Sequence, residues 1–76
     1  MKYAIIIEKS SNGFGAYAPD LPGCAAVGDT LEETTQLMKS AIEFHLEGMK
    51  LHNETIPEPT SHCLYIEPEL PQRQIA

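Results

Sequence analysis

Cys24 closes the stretch Pro19-Asp20-Leu21-Pro22-Gly23-Cys24, and Asp29, Glu32 and Glu33 follow a few positions on. A cysteine beside a glycine, with carboxylates nearby, is a pattern that nucleophilic chemistry uses. Such a thiol needs a base within hydrogen-bond reach and a lowered pKa. The bases on offer are His45, His52 and His62. His45 falls on the apolar stripe of a helical pattern, and the other two fall near loops. The plainer reading of Cys24 is a small buried side chain, because free Cys is among the most buried residue types.

Metal chemistry has even less support. Cys24, His45, His52, His62 and Cys63 contain no C-x-x-C or H-x-x-x-H pair. His62 and Cys63 are adjacent, so in a strand they point to opposite faces. Asp20, Asp29 and Glu8 could in principle gather around magnesium. Each has a sufficient local role instead, in a turn, at a helix entry and beside a turn. The glycines spell no phosphate loop, since no Lys-Ser/Thr follows them. No metal, no cofactor and no enzymatic activity is expected.

The chain carries 11 acidic against 5 basic residues, a formal net charge of −6. Sequence-independent nucleic-acid binding rests on Lys and Arg neutralising phosphates, so this balance argues against it. Tyr3, Phe14, Tyr17 and Tyr65 could stack bases, but no basic patch surrounds them. An acidic surface instead favours a basic partner. No apolar run approaches the ~20 residues of a membrane span, and no secretory leader is visible. A cytoplasmic protein with two reduced thiols is expected.

The elements that position these residues follow from periodicity. Residues 2–9 alternate as a strand, with Tyr3, Ile5 and Ile7 on one face. Asn12-Gly13 predicts a turn through residues tolerant of positive φ. Residues 14–18 return as a second strand, and Pro22-Gly23 fits the centre of a type II turn. Residues 24–28 form a short third strand. Thr30-Leu31-Glu32-Glu33 is a capping box, in which the Thr30 hydroxyl accepts from the Glu33 amide and the Glu33 carboxylate reaches back.

The helix is expected from Leu31 to about His52. Its apolar stripe runs through Leu31, Thr34, Leu37, Met38, Ala41, Ile42, His45 and Met49, with Phe44 and Leu46 beside it. Residues 61–67 read as a fourth strand, and residues 72–76 as a frayed tail. The fold class is therefore α+β, in the order β-β-β-α-β. An antiparallel meander is followed by a right-handed crossover to a parallel fourth strand, giving the sheet order 3-2-1-4. One helix covers only one sheet face, so the other face and the edges call for a partner.

Taken in order, Pro19 to Cys24, Gly28 to Glu33 and Ile56 to Pro59 resemble the N-terminal domain of HicB-type antitoxins. The likeness runs from Met1 to about Glu67. It implies a partial ribonuclease H-like fold without the catalytic acids. It also implies the role of antitoxin in a type II toxin–antitoxin pair, neutralising a small basic HicA-like toxin that cleaves messenger RNA, and assembly as a homodimer or homotetramer. Thr34 stands where the family usually has Ala.

Many HicB-type antitoxins carry a further domain that binds operator DNA. The residues after Glu67 are too few for one, so residues 1–67 are expected to form the antitoxin domain and residues 68–76 a tail, with DNA binding doubtful. The alternative is a stand-alone oligomeric binding module of the same fold without a toxin. Partner contacts are expected at Asp20 and Leu21 in the loop, and at Glu32, Glu43 and Glu47 on the outer face of the helix.

Overall fold

The structure, a computed structural model, describes residues 1–71. The expected tail at residues 72–76 lies outside the described residues. Three strands and one helix follow one another: β1 (Ile6–Ser10), β2 (Gly13–Tyr17), β3 (Ala25–Gly28) and α1 (Leu31–Leu51). The strands form one antiparallel sheet in the order β1-β2-β3. This is an α+β meander followed by a helix.

Register explains which residues meet the helix. Ile7 pairs with Ala16, and Ala16 with Ala26. All three belong to the core or pack against it. Side chains alternate across a strand, so Ile6, Tyr17 and Ala25, which also lie in register, occupy the opposite face. That face carries Tyr17 and Val27, both exposed. The core is small: Ala16, Ala18, Leu21, Cys24 and Met38, with the polar Thr34 also fully buried. Ala41, Ile42 and Leu46 extend it along the helix. Leu31, Leu37 and Phe44, expected on the apolar stripe or beside it, are exposed instead.

The hairpin turn works differently from the expectation. Ser10 pairs with Gly13, so the two loop residues are Ser11 and Asn12. Asn12 does not take a positive φ, and neither does Gly13. Gly13 answers to space instead: a Cβ there would lie 2.5 Å from the Gly28 carbonyl oxygen. Gly28 is tight in turn, because a Cβ on it would sit 2.6 Å from the Thr34 hydroxyl. Strand β3 therefore packs directly on the first turn of α1 through a residue without a side chain. The Thr34 hydroxyl donates to the Thr30 carbonyl at 2.8 Å and so is satisfied although fully buried.

Both helix ends are closed by side-chain and backbone bonds. The Thr30 hydroxyl accepts from the Glu33 amide at 3.0 Å. Glu33 does reach back, but to the Asp29 amide at 2.6 Å, one residue before the cap. At the other end Asn53 takes φ 56°, and the Glu54 amide donates to Met49 while the Asn53 amide donates to Lys50. This is a Schellman closure with Asn in the left-handed position.

The parallel fourth strand, and with it the order 3-2-1-4, is not formed. Residues 61–67 have no strand ladder and are almost all exposed. They do run beside residues 2–7, in the same direction. Cys63 Sγ lies 3.6 Å from the Ile5 carbonyl oxygen. The physical reason is coverage. A strand is stabilised by packing at least one face, and here Leu64, Tyr65 and Ile66 are 82%, 101% and 80% exposed. Consecutive residues point to opposite faces, so neither face is covered. Residues 2–5, expected at the start of the first strand, also lie outside the ladder, although Tyr3 and Ile5 pack on the core.

Replacing Gly28 with Ala is expected to lower unfolding stability by about 1–3 kcal/mol, the usual cost of overpacking. Combining it with Thr34→Ala, which removes the clashing hydroxyl, should recover part of that loss. Urea denaturation of the two variants and of the parent chain checks both.

Candidate partner-binding surface

Residues 18–24 fold into two consecutive turns. The Leu21 amide donates to the Ala18 carbonyl at 3.0 Å, and the Cys24 amide donates to the Leu21 carbonyl at 3.0 Å. The second turn holds Pro22-Gly23 at its centre, with Gly23 at φ 84°, as a type II turn requires. A third bond, from the Ala18 amide to the Cys24 carbonyl, closes the base of the loop. Leu21 points inward and is fully buried, so it supports the loop from beneath and has no surface to offer a partner. Cys24 is buried too, and burial pushes its thiol pKa up. A protonated, covered thiol is a poor nucleophile.

Asp20 has the most connected side chain in the loop. Its carboxylate accepts from the backbone amides of Thr60 and Ser61, each at 2.8 Å. It also accepts from their hydroxyls, at 3.2 Å and 2.8 Å respectively. These four bonds span 40 residues and join the loop to the chain that leaves the helix. They hold the Asp20 pKa below its ordinary value of 3.8, with the Ser61 amide as the largest cause. Thr60 and Ser61 were not singled out by sequence, because a partner 40 residues away leaves no local pattern.

The expected carboxylates on the helix, Glu32, Glu43 and Glu47, are all exposed. Helical spacing places them on one side, with Lys39 and Lys50 among them. The face therefore carries three negative and two positive side chains, a modest excess of one negative charge. Between the loop and the helix lies an open groove of about 700 Å³, lined by Pro22, Cys24, Ala41, His45 and Met49 among others. Phe44, on its rim, is 77% exposed. The sequence placed Phe44 beside the apolar stripe, but the helix turns it outward.

Asp20 is engaged by Thr60 and Ser61, Glu8 lies exposed in β1, and Glu33 holds the Asp29 amide. Among the described residues, no three His, Cys, Asp or Glu side chains come together as a metal site. No helix among them is long and apolar enough to cross a membrane. The surface combines a hydrogen-bonded loop, a mixed-charge helix face and exposed apolar side chains.

Comparison with known proteins shows the family to which the chain belongs. Residues 3–71 match the model of the HicB-like antitoxin of the bacterial toxin–antitoxin system. The chain belongs to the HicB-like antitoxin family. A 14.9 kDa protein from the rep–hol intergenic region of Haemophilus phage HP1 is 44% identical over 66 residues, covering 87% of this chain. This chain spans 50% of that phage protein's length. A UPF0150 protein of Thermoplasma acidophilum is 43% identical over 58 residues, covering 75% of this chain and 84% of its own.

Among solved structures, a chain of the HicA3 and HicB3 toxin–antitoxin complex superposes with a TM-score of 0.69 at 30% identity. The match covers 79% of this chain and 70% of that one. In this HicB-like chain the loop expected to carry the family likeness is the one that Asp20 ties to residues 60 and 61.

Because the folded Asp20 pKa lies below the unfolded one, its contribution to stability is fully present above the unfolded value. That contribution is lost as pH falls through the folded value. Amide exchange at Thr60 and Ser61 is therefore expected to speed up relative to the sheet amides in strongly acidic solution. Asp20→Ala should produce the same selective loss of protection near neutral pH. Hydrogen exchange read by NMR checks both.

Proposed function

We propose that this chain is the antitoxin of a type II toxin–antitoxin pair, and that it neutralises a small, basic, HicA-like toxin that cleaves messenger RNA. The observation that carries the reading is the family match over residues 3–71, together with the superposition on a chain of a toxin–antitoxin complex. Charge supports it, because a chain of net charge −6 attracts a basic partner from a distance. The chain acts by occupation rather than catalysis, in the cytoplasm, and residues 1–67 form the working domain.

Contact is made through the exposed carboxylates Glu32, Glu43 and Glu47, and through the rim of the loop around Asp20. Leu21 serves as the buried anchor of that loop. The excess of charge on the helix face is small, so these carboxylates govern the speed and orientation of encounter. Affinity comes from apolar contact near Phe44 and Pro22. The acidic balance leaves operator DNA outside the reach of this domain. Self-association into a homodimer or homotetramer covers the apolar surface that a single copy leaves open.

Co-expression with a basic protein of toxin size, followed by affinity capture at low salt, should yield a stoichiometric complex. Changing Glu32, Glu43 and Glu47 together to Lys should slow association by about tenfold or more and flatten its salt dependence. Absence of any complex at low salt would overturn the toxin-binding reading.

A further inference from the structure

The groove between the loop and α1 has a third wall. Pro22 and Cys24 come from the loop, Ala41 and Met49 from the helix, and Glu54 and Pro57 from the segment that follows the helix. That segment, residues 55–61, belongs to no strand ladder. Pro57 and Pro59 have no amide to give one, and they hold Ile56 and Glu58 extended. None of the five core residues lies in it. Its position rests instead on three ties. The Glu54 amide donates to the Met49 carbonyl at 2.8 Å and fixes its start. The Tyr3 hydroxyl donates to the Pro57 carbonyl and fixes its middle. The Asp20 carboxylate takes both amides and both hydroxyls of Thr60 and Ser61 and fixes its end.

We infer that residues 55–61 form a latched strap that closes the groove beside the C-terminal end of α1, with Asp20 and Tyr3 as the residues that position it. Neither of these two side chains lines the groove. They act on its shape through Pro57, Thr60 and Ser61. The loop thus supplies one wall through Pro22 and Cys24, and the latch of another through Asp20. This inference goes beyond the toxin-binding reading and does not depend on it, because every group in it belongs to this chain.

The strap is built to open separately from the fold. A segment held by a few polar bonds, with little apolar cover of its own, opens locally at a lower cost than global unfolding. Sheet, helix and core keep their contacts when it leaves. The groove then loses the wall at Pro57, and Cys24, 4% exposed in the closed form, becomes reachable from that side.

Cys24 therefore reports the state of the strap. Cys63→Ser leaves it as the one thiol in the chain, and alkylation by iodoacetamide under native conditions, read by mass spectrometry, gives its exposure. In that background Asp20→Ala should speed Cys24 alkylation and amide exchange at Thr60 and Ser61 by about tenfold or more, because bonds to a charged acceptor are lost. Exchange at the β1–β2 amides should keep the parent rate. Tyr3→Phe, which keeps the ring and leaves the loop untouched, should also speed Cys24 alkylation. Asp20→Asn, whose side-chain oxygen can still accept from both amides, should fall between parent and Asp20→Ala. Freed Thr60 and Ser61 amides with Cys24 alkylation unchanged would overturn the strap as a wall of the groove. Faster alkylation in the Asp20 variants alone would place the effect in the loop and overturn it too. Equal acceleration at the β1–β2 amides would mean global unfolding and overturn the latch.

Discussion

The Asp20 carboxylate accepts four hydrogen bonds from two residues that lie 40 and 41 positions further along the chain. Without that tie, the segment after the helix would have little reason to return to the sheet. The Tyr3 hydroxyl, which donates to the Pro57 carbonyl, holds the same segment on the other side. Between them, two side chains set where residues 57–61 lie. The path of the segment beyond is then a consequence of geometry rather than of its own packing. Hydrogen bonds to a charged acceptor are the strong ones, and here they substitute for the apolar burial that the segment lacks.

The economy of the core makes such ties important. A chain this short buries a modest fraction of its surface, and its fully covered large side chains are Leu21 and Met38. The sheet and helix approach each other through Gly28 and Thr34, where no further atom fits. Leu21 is the keystone of the loop: it fills the core from within while Pro22 and Gly23 face outward on the type II turn. The loop whose residue types suggest reactivity is therefore held by its turns and by the Asp20 bonds for structural reasons. Cys24, covered and with its thiol pKa raised, takes part as a packing residue.

Much of this was legible from local chemistry. Pro22-Gly23 marks its turn, Thr30 marks the helix start, and apolar alternation in the first strand, the return after Asn12-Gly13 and the short apolar run after Gly23 place three strands close to where they occur. Those features depend on neighbours in sequence. The features that stayed hidden depend on distant ones. Nothing near Asp20 points to Thr60 and Ser61. Nothing near Gly13 reveals that it lies against the Gly28 carbonyl, so its glycine was credited to the turn. The expected fourth strand is absent because alternation records what a segment could pack, not whether a surface is there to pack it. Phe44 and Leu37 show the same limit on the helix: both have suitable spacing, and both face outward.

Two kinds of surface thus coexist on a HicB-like chain, a mixed-charge helix face beside a hydrogen-bonded loop, and an exposed segment that carries Leu64, Tyr65 and Ile66. The most direct test of the proposed toxin binding is to titrate the isotope-labelled chain with a basic protein of toxin size and follow the amide signals by NMR. The account predicts saturable shifts at Glu32, Glu43, Glu47 and the loop around Asp20, with residues 62–66 unmoved. Shifts confined to residues 62–66, or none at all, would contradict it.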